Sequence, residues 1–67
     1  MEQTNLARIR KERNMTQKQV AEASGVSIRN IQDYEQGHRF INNVAAITVY
    51  RLATALNVTS GAILELQ

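Results

Sequence analysis

Apolar residues recur along this chain at helical spacing, and the pattern predicts five helices and no strands. The clearest stripe is Ala45, Val49, Leu52 and Leu56, at i, i+4, i+7 and i+11. It places a fourth helix over about residues 44–56, with Asn57 suited to cap its end. A first helix is expected over about residues 4–13, with Leu6 and Ile9 inward and Asn14 as a left-handed C-cap. A short fifth helix is expected over about residues 60–66, with Thr59 as cap and Val58 stapled to Ile63. Residues 38–43 read as a loop.

The run TQKQVAEASGVSIRNIQDYEQG, residues 16–37, carries the most local information. Thr16 and Gln19 have the spacing of a capping box, and Met15 before the cap can staple to Val20, so a second helix starts at about Gln17. Gly25 ends it at a position where a positive φ costs glycine nothing sterically. Ser27 suits the N-cap of a third helix, with Val26 and Ile31 as a second staple, and Gly37 ends that helix. So short a connection predicts two helices that cross steeply, with the small Ala21 where they meet. Val20, Val26, Ile31 and Tyr34 face inward. Ser27, Ile28, Arg29, Gln32, Asp33 and Gln36 fall on the opposite side of the third helix and face out.

A chain of 67 residues makes one domain, residues 1–67, with no repeat or linker. Its core must come from Ile, Leu, Val and Ala, because only three residues are aromatic: Tyr34, Tyr50 and Phe40. Both tyrosines sit at spacing that first suggests core packing. There is no cysteine, which excludes disulfides, thiolate metal sites and cysteine nucleophiles. His38 is the only histidine, so no metal site is expected. The carboxylates show no pairing suited to acid–base chemistry, and no nucleophile has a base. Neither an enzyme nor a cofactor is expected. No signal peptide or membrane span is legible, and the expected location is the cytoplasm. The net charge is only +2, but five of the eight basic residues (Arg8, Arg10, Lys11, Arg13 and Lys18) fall in the first eighteen. Beyond Phe40 only Arg51 and Glu65 are charged. The front is therefore basic and the back neutral, and a basic face attracts phosphates over a Debye length of ~8 Å.

The register of Thr16-Gln17, Ala21, Gly25-Val26-Ser27, Ile31 and Glu35-Gln36-Gly37, followed by LATALNV and a short apolar closing helix, resembles the lambda-repressor-like (Cro-type) helix-turn-helix family. The likeness runs from about Leu6 to Leu66. It implies an all-α, compact five-helix DNA-binding domain whose second and third helices form the helix-turn-helix. It implies that the third helix, about residues 28–36, enters the major groove with Ser27, Ile28, Arg29, Gln32 and Asp33 facing the bases. It further implies Gln17, Lys18, Gln36, His38, Arg39 and Phe40 at phosphates, and an internal salt bridge between Arg10 and Glu35. Relatives commonly dimerise through their C-terminal end, which points to Ile63, Leu64 and Leu66 as contacts of a homodimer, at least on DNA. Ile28 departs from the usual polar residue and can only touch a thymine methyl. The loop at residues 38–43 is slightly long and lacks the common proline, which leaves phosphate contacts of Phe40, Asn42 and Asn43 open.

Each of these side chains also has a plainer reading. Arg29 can read guanine through two hydrogen bonds, or can be an exposed helix residue. Asp33 can accept from a cytosine amine, or can orient Arg29 one turn earlier. Gln32 and Gln36 are ordinary surface residues unless their helix lies in a groove. Two functions therefore stand open: a sequence-specific double-stranded DNA-binding regulator, most simply a repressor, or a protein-interaction module on the same scaffold, such as an antitoxin-like or adaptor subunit.

Overall fold

Residues 3–65 are described by the computed structural model. They form α1 (Asn5–Glu12), α2 (Gln17–Ser24), α3 (Ile28–Gln36), α4 (Ala46–Leu56) and α5 (Ser60–Ile63), with no strand among the described residues. Each of the first three helices starts on a hydroxyl. Thr4 Oγ1 accepts from the Ala7 N–H at 3.2 Å, and Ser27 Oγ accepts from the Asn30 N–H at 3.1 Å. At α2 the capping box is complete: Thr16 Oγ1 accepts from the Gln19 N–H, and Gln19 Oε1 accepts from the Thr16 N–H. Gly25 ends α2 at φ 77° and Gly37 ends α3 at φ 80°. Space is not what requires glycine there, because a Cβ would meet nothing within 4 Å at either site; the left-handed backbone is. Asn14 and Asn57 take the same left-handed turn after α1 and α4.

The core gathers Leu6 and Ile9 from α1, Val20 from α2, Ile31 and Tyr34 from α3, Val49, Leu52, Ala53 and Leu56 from α4, and Ile63 from α5. α4 lies against both α2 and α5, and α1 against α3 and α5, so every helix has an apolar face covered by another. Ala21 is half-buried and packs on this core.

Four expectations need correction. The segment after α3 is not all loop: Ile41–Asn43 form a 3-10 turn that buries Ile41 in the core. That turn uses up chain, so α4 starts at Ala46, and Ala45 is an exposed, extended residue that contributes nothing to the stripe. Tyr50 is 60% exposed rather than buried. It lies one residue past Val49, about 100° round the helix from the buried stripe. Finally, α5 stops at Ile63, and Leu64 is extended at ψ 153°. The side chain of Asn5 donates to the Leu64 carbonyl at 2.7 Å, and Glu65 Oε2 accepts from the Asn5 N–H at 2.8 Å. Asn42 meets both backbone groups of Glu65, at 2.7 and 2.8 Å. These long-range bonds take the place of further helical ones, and the Glu65 carboxylate sits at the N-terminus of α1, where the helix dipole favours a negative charge.

Candidate nucleic-acid interface

α3 presents a continuous outward face. Ile28 is 41% exposed, the Arg29 side chain is 83% exposed, and Ser27 and Gln36 are exposed as well. Gln32 and Asp33 are half-buried at the edges of that face. Behind it, the buried Ile31 and Tyr34 fix how the helix sits on the core. The link from α2 is equally determined: the Gly25 N–H donates to the Ala21 carbonyl at 2.9 Å, and the nearly buried Ser24 Oγ accepts from the Val26 N–H at 3.1 Å.

A buried polar network locks the first three helices together. The Arg10 and Glu35 side chains are only 12% and 6% exposed. Arg10 donates to both carboxylate oxygens of Glu35, from Nε at 2.7 Å and from Nη2 at 3.0 Å. A third donor, Arg10 Nη1, holds the Met15 carbonyl at 2.9 Å and so fixes the path from α1 into α2. Hydrogen bonding to Glu35 raises the Arg10 pKa above its ordinary value, against the opposing effect of burial. Gln17 Nε2 donates to Glu35 Oε1 at 3.0 Å, and Gln32 Nε2 approaches Gln17 Oε1 at 3.5 Å. One chain of hydrogen bonds thus runs from α1 through the end of α3 and the start of α2 to the middle of α3.

Around this face the cations are differently engaged. Arg8 pairs with Glu12 at 3.2 Å on the surface, a contact worth only ~0.3–0.5 kcal/mol. Among the described residues Lys11, Arg13, Lys18 and Arg39 enter no ion pair, and all four are exposed. Asp33 lies 3.9 Å from Arg29 Nε and 3.7 Å from His38 Nδ1, so it stands between two exposed groups that can carry positive charge. Its carbonyl also accepts from the His38 and Arg39 N–H groups, which turns the chain sharply after Gly37. Phe40 follows at 45% exposure.

The sequence has counterparts among known proteins. The model of the helix-turn-helix family matches residues 6–63. The chain belongs to the helix-turn-helix family of Cro/lambda-repressor type. It is 41% identical over 56 residues to the uncharacterized HTH-type transcriptional regulator y4dJ of Sinorhizobium fredii, a match covering 84% of this chain and 69% of that protein. No solved structure matches it. The family is one of non-enzymatic, DNA-binding regulators.

Within this helix-turn-helix frame, the structure brings Ser27, Ile28, Arg29, Gln32 and Asp33 to one face and pairs Arg10 with Glu35. It separates the three C-terminal residues. Ile63 is fully buried, so a second copy has no access to it; Leu64 is half-buried against the core; Leu66 lies outside the described residues. The Asn42 side chain is engaged with the Glu65 backbone. Two features escaped the sequence reading. The contact of Gln17 with Glu35 joins residues 18 apart, and no local spacing rule signals it. The exposure of Ile47 and Tyr50 on the outer side of α4 was legible in principle from the helical wheel. Among the described residues, no helix is long and apolar enough to cross a membrane.

Proposed function

We propose that this chain is a sequence-specific double-stranded DNA-binding transcriptional regulator that reads the major groove with α3 and represses by occluding its operator. The observation that carries this reading is the outward face of α3, where Arg29 projects into solvent from a helix held by buried Ile31, Tyr34 and the Arg10–Glu35 pair. Ser27, Ile28, Arg29, Gln32 and Asp33 face base edges. Arg29 reads guanine, and Asp33 steadies it from the next turn. Gln17, Lys18, Gln36, His38, Arg39 and Phe40 meet phosphates. Gln17 retains a second amide hydrogen for this role beside the one given to Glu35, and the start of α2 adds backbone N–H groups. A homodimer on DNA sets two such helices about 34 Å apart, one helical turn. Its contact uses Leu64 and the residues beyond it rather than Ile63.

The test is sequence selection from a randomised duplex pool, followed by anisotropy titrations at two salt concentrations. Wild type should recover a two-fold symmetric site with half-sites about 10 bp apart. Arg29→Ala should relax one position in each half-site at a cost of about 1–3 kcal/mol, whereas Lys18→Ala and Arg39→Ala should weaken all sequences alike and lower the salt slope by about one each. Sequence-indifferent binding by wild type would refute the reading.

A second reading has one observation in its favour: Ile47 and Tyr50 expose apolar surface on α4. On that reading the chain is a protein-interaction module, an antitoxin-like or adaptor subunit. Tyr50→Lys then abolishes capture of a protein partner while Arg29→Ala leaves it intact.

A further inference from the structure

An open cleft of about 470 Å³ lies between α3 and the start of α4. Asn30 and Tyr34 line it from α3, Arg39, Phe40 and Asn43 from the connecting segment, and Thr48 from α4. Arg39 is the one charged residue in this lining, and it enters no ion pair among the described residues. Tyr34 is only 3% exposed, yet its hydroxyl makes no hydrogen bond among the described residues. No enclosed side-chain oxygen or nitrogen lacks a partner there, so the Tyr34 hydroxyl is not sealed in the core but opens onto the cleft. The first turn of α4 borders the same space. Its N-cap, Ala45, has no side chain that can cap, and the N–H groups of Ala46 and Ile47 meet no acceptor among the described residues. A cation, a phenol and free helix N–H groups therefore surround one cleft, and no carboxylate lines it.

We infer that this cleft binds the phosphate of a small phosphomonoester, and that the bound ligand competes with DNA. The competition rests on the DNA-binding reading above; the binding itself does not. A DNA strand carries the same chemical group, but the two carriers differ. A strand phosphate is a diester with two free oxygens and one negative charge. A monoester has three free oxygens and a charge of about −1.5 to −2 at pH 7. Donors on three separate elements, Tyr34 on α3, Arg39 after it and the first N–H groups of α4, match the three-oxygen group. The cleft also exceeds what one phosphate needs. Its size lies within the range of roughly 300–1,000 Å³ for small-molecule sites, which leaves room for an organic remainder against the Phe40 ring. A dianion held there occupies Arg39 and sets negative charge where the strand would pass, so ligand and duplex exclude each other.

The experiment titrates the protein with phenyl phosphate, a monoester, and with dimethyl phosphate, a diester, at constant ionic strength, following backbone amide shifts by NMR. Phenyl phosphate should shift the Ala46 and Ile47 amides saturably, and dimethyl phosphate should bind at least about tenfold more weakly. Tyr34→Phe keeps the buried ring and removes only the hydroxyl; Arg39→Gln changes an exposed side chain. Each, checked for folding by thermal melting, should weaken phenyl phosphate by about tenfold or more, the scale of one hydrogen bond to a charged group. Tyr50→Phe, whose hydroxyl lies outside the cleft, should leave binding unchanged. In anisotropy titrations phenyl phosphate should then displace duplex from wild type, and about tenfold more should be needed with Tyr34→Phe. No saturable shift, or equal binding by Tyr34→Phe, would overturn the site. Equal binding of the diester, with Tyr34→Phe weakening duplex instead, would assign the cleft to a DNA strand and overturn the ligand. Saturable phenyl phosphate binding by a protein that binds no duplex would keep the site and defeat the DNA-binding reading alone.

Discussion

The front three helices begin on Thr4, Thr16 and Ser27, each with a side-chain oxygen that accepts a backbone N–H, whereas α4 and α5 begin at Ala45 and Thr59 with no side-chain cap. The contrast continues inside. The front holds a buried ion pair extended by two glutamines; α4 buries only Val49, Leu52, Ala53 and Leu56. A helix whose outer face must stay free for a ligand can be covered on one side only, and it needs its ends and its angle fixed by specific bonds. A helix packed between neighbours is held by burial and can begin wherever the preceding chain delivers it. The difference between the two regions follows from what each must leave exposed.

The largest expected effect comes from breaking the front's ion pair. Glu35→Ala leaves Arg10 buried with its charge uncompensated and should cost about 3–5 kcal/mol in urea unfolding. A chain of this length has a total stability of only about 3–10 kcal/mol, so the variant should be partly unfolded at room temperature. A loss below about 1 kcal/mol would mean that water reaches the pair and that the front is not locked as described. The matching change at the back is Leu52→Ala. Leu52 is fully buried, and its truncation should cost about 2–5 kcal/mol, depending on how far α2 and α5 close over the cavity. A smaller loss than at Glu35 is expected because an apolar void can relax, whereas an unpaired buried charge cannot.

The same division separates what the sequence revealed from what it did not. The capping box at Thr16 and Gln19 and the left-handed turns at Asn14, Gly25, Gly37 and Asn57 are rules over three to five residues, and each appears where the pattern put it. The outward face of α3 followed from period alone. At the back the deciding partners are distant in sequence. Asn5 meets Leu64 and Glu65 across 59 and 60 residues, and Asn42 meets Glu65 across 23. Periodicity carried α5 on to residue 66 because nothing local says that side chains from α1 and the 3-10 turn will claim its last backbone groups. Ala45 was misread for a related reason. It continues the stripe in register, but Ile41 drops into the core first and delays the helix. At the interface the Arg10–Glu35 pair was legible only through family resemblance, and the bond from Gln17 to Glu35 not at all, since it depends on the angle between α2 and α3.

The smallest expected effects test the contrast most directly, because they compare one residue type at two helix starts. Thr16 and Thr59 are both N-cap residues with extended backbone, at ψ 163° and 156°. Thr16 Oγ1 holds the Gln19 N–H at 3.0 Å, whereas Thr59 makes no side-chain cap bond and α5 starts on the bond from the Ala62 N–H to the Thr59 carbonyl, which alanine would keep. Thr16→Ala should therefore cost about 1 kcal/mol, with loss of both halves of the capping box. Thr59→Ala should stay within about 0.5 kcal/mol of wild type, as expected for an exposed residue without a specific bond. Matched urea titrations resolve the two. Equal losses would mean that the Thr59 hydroxyl caps α5 in solution after all, and that back and front begin their helices by the same device. A loss at Thr16 alone would tie the front's dependence on specific bonds to the helix that leads into α3.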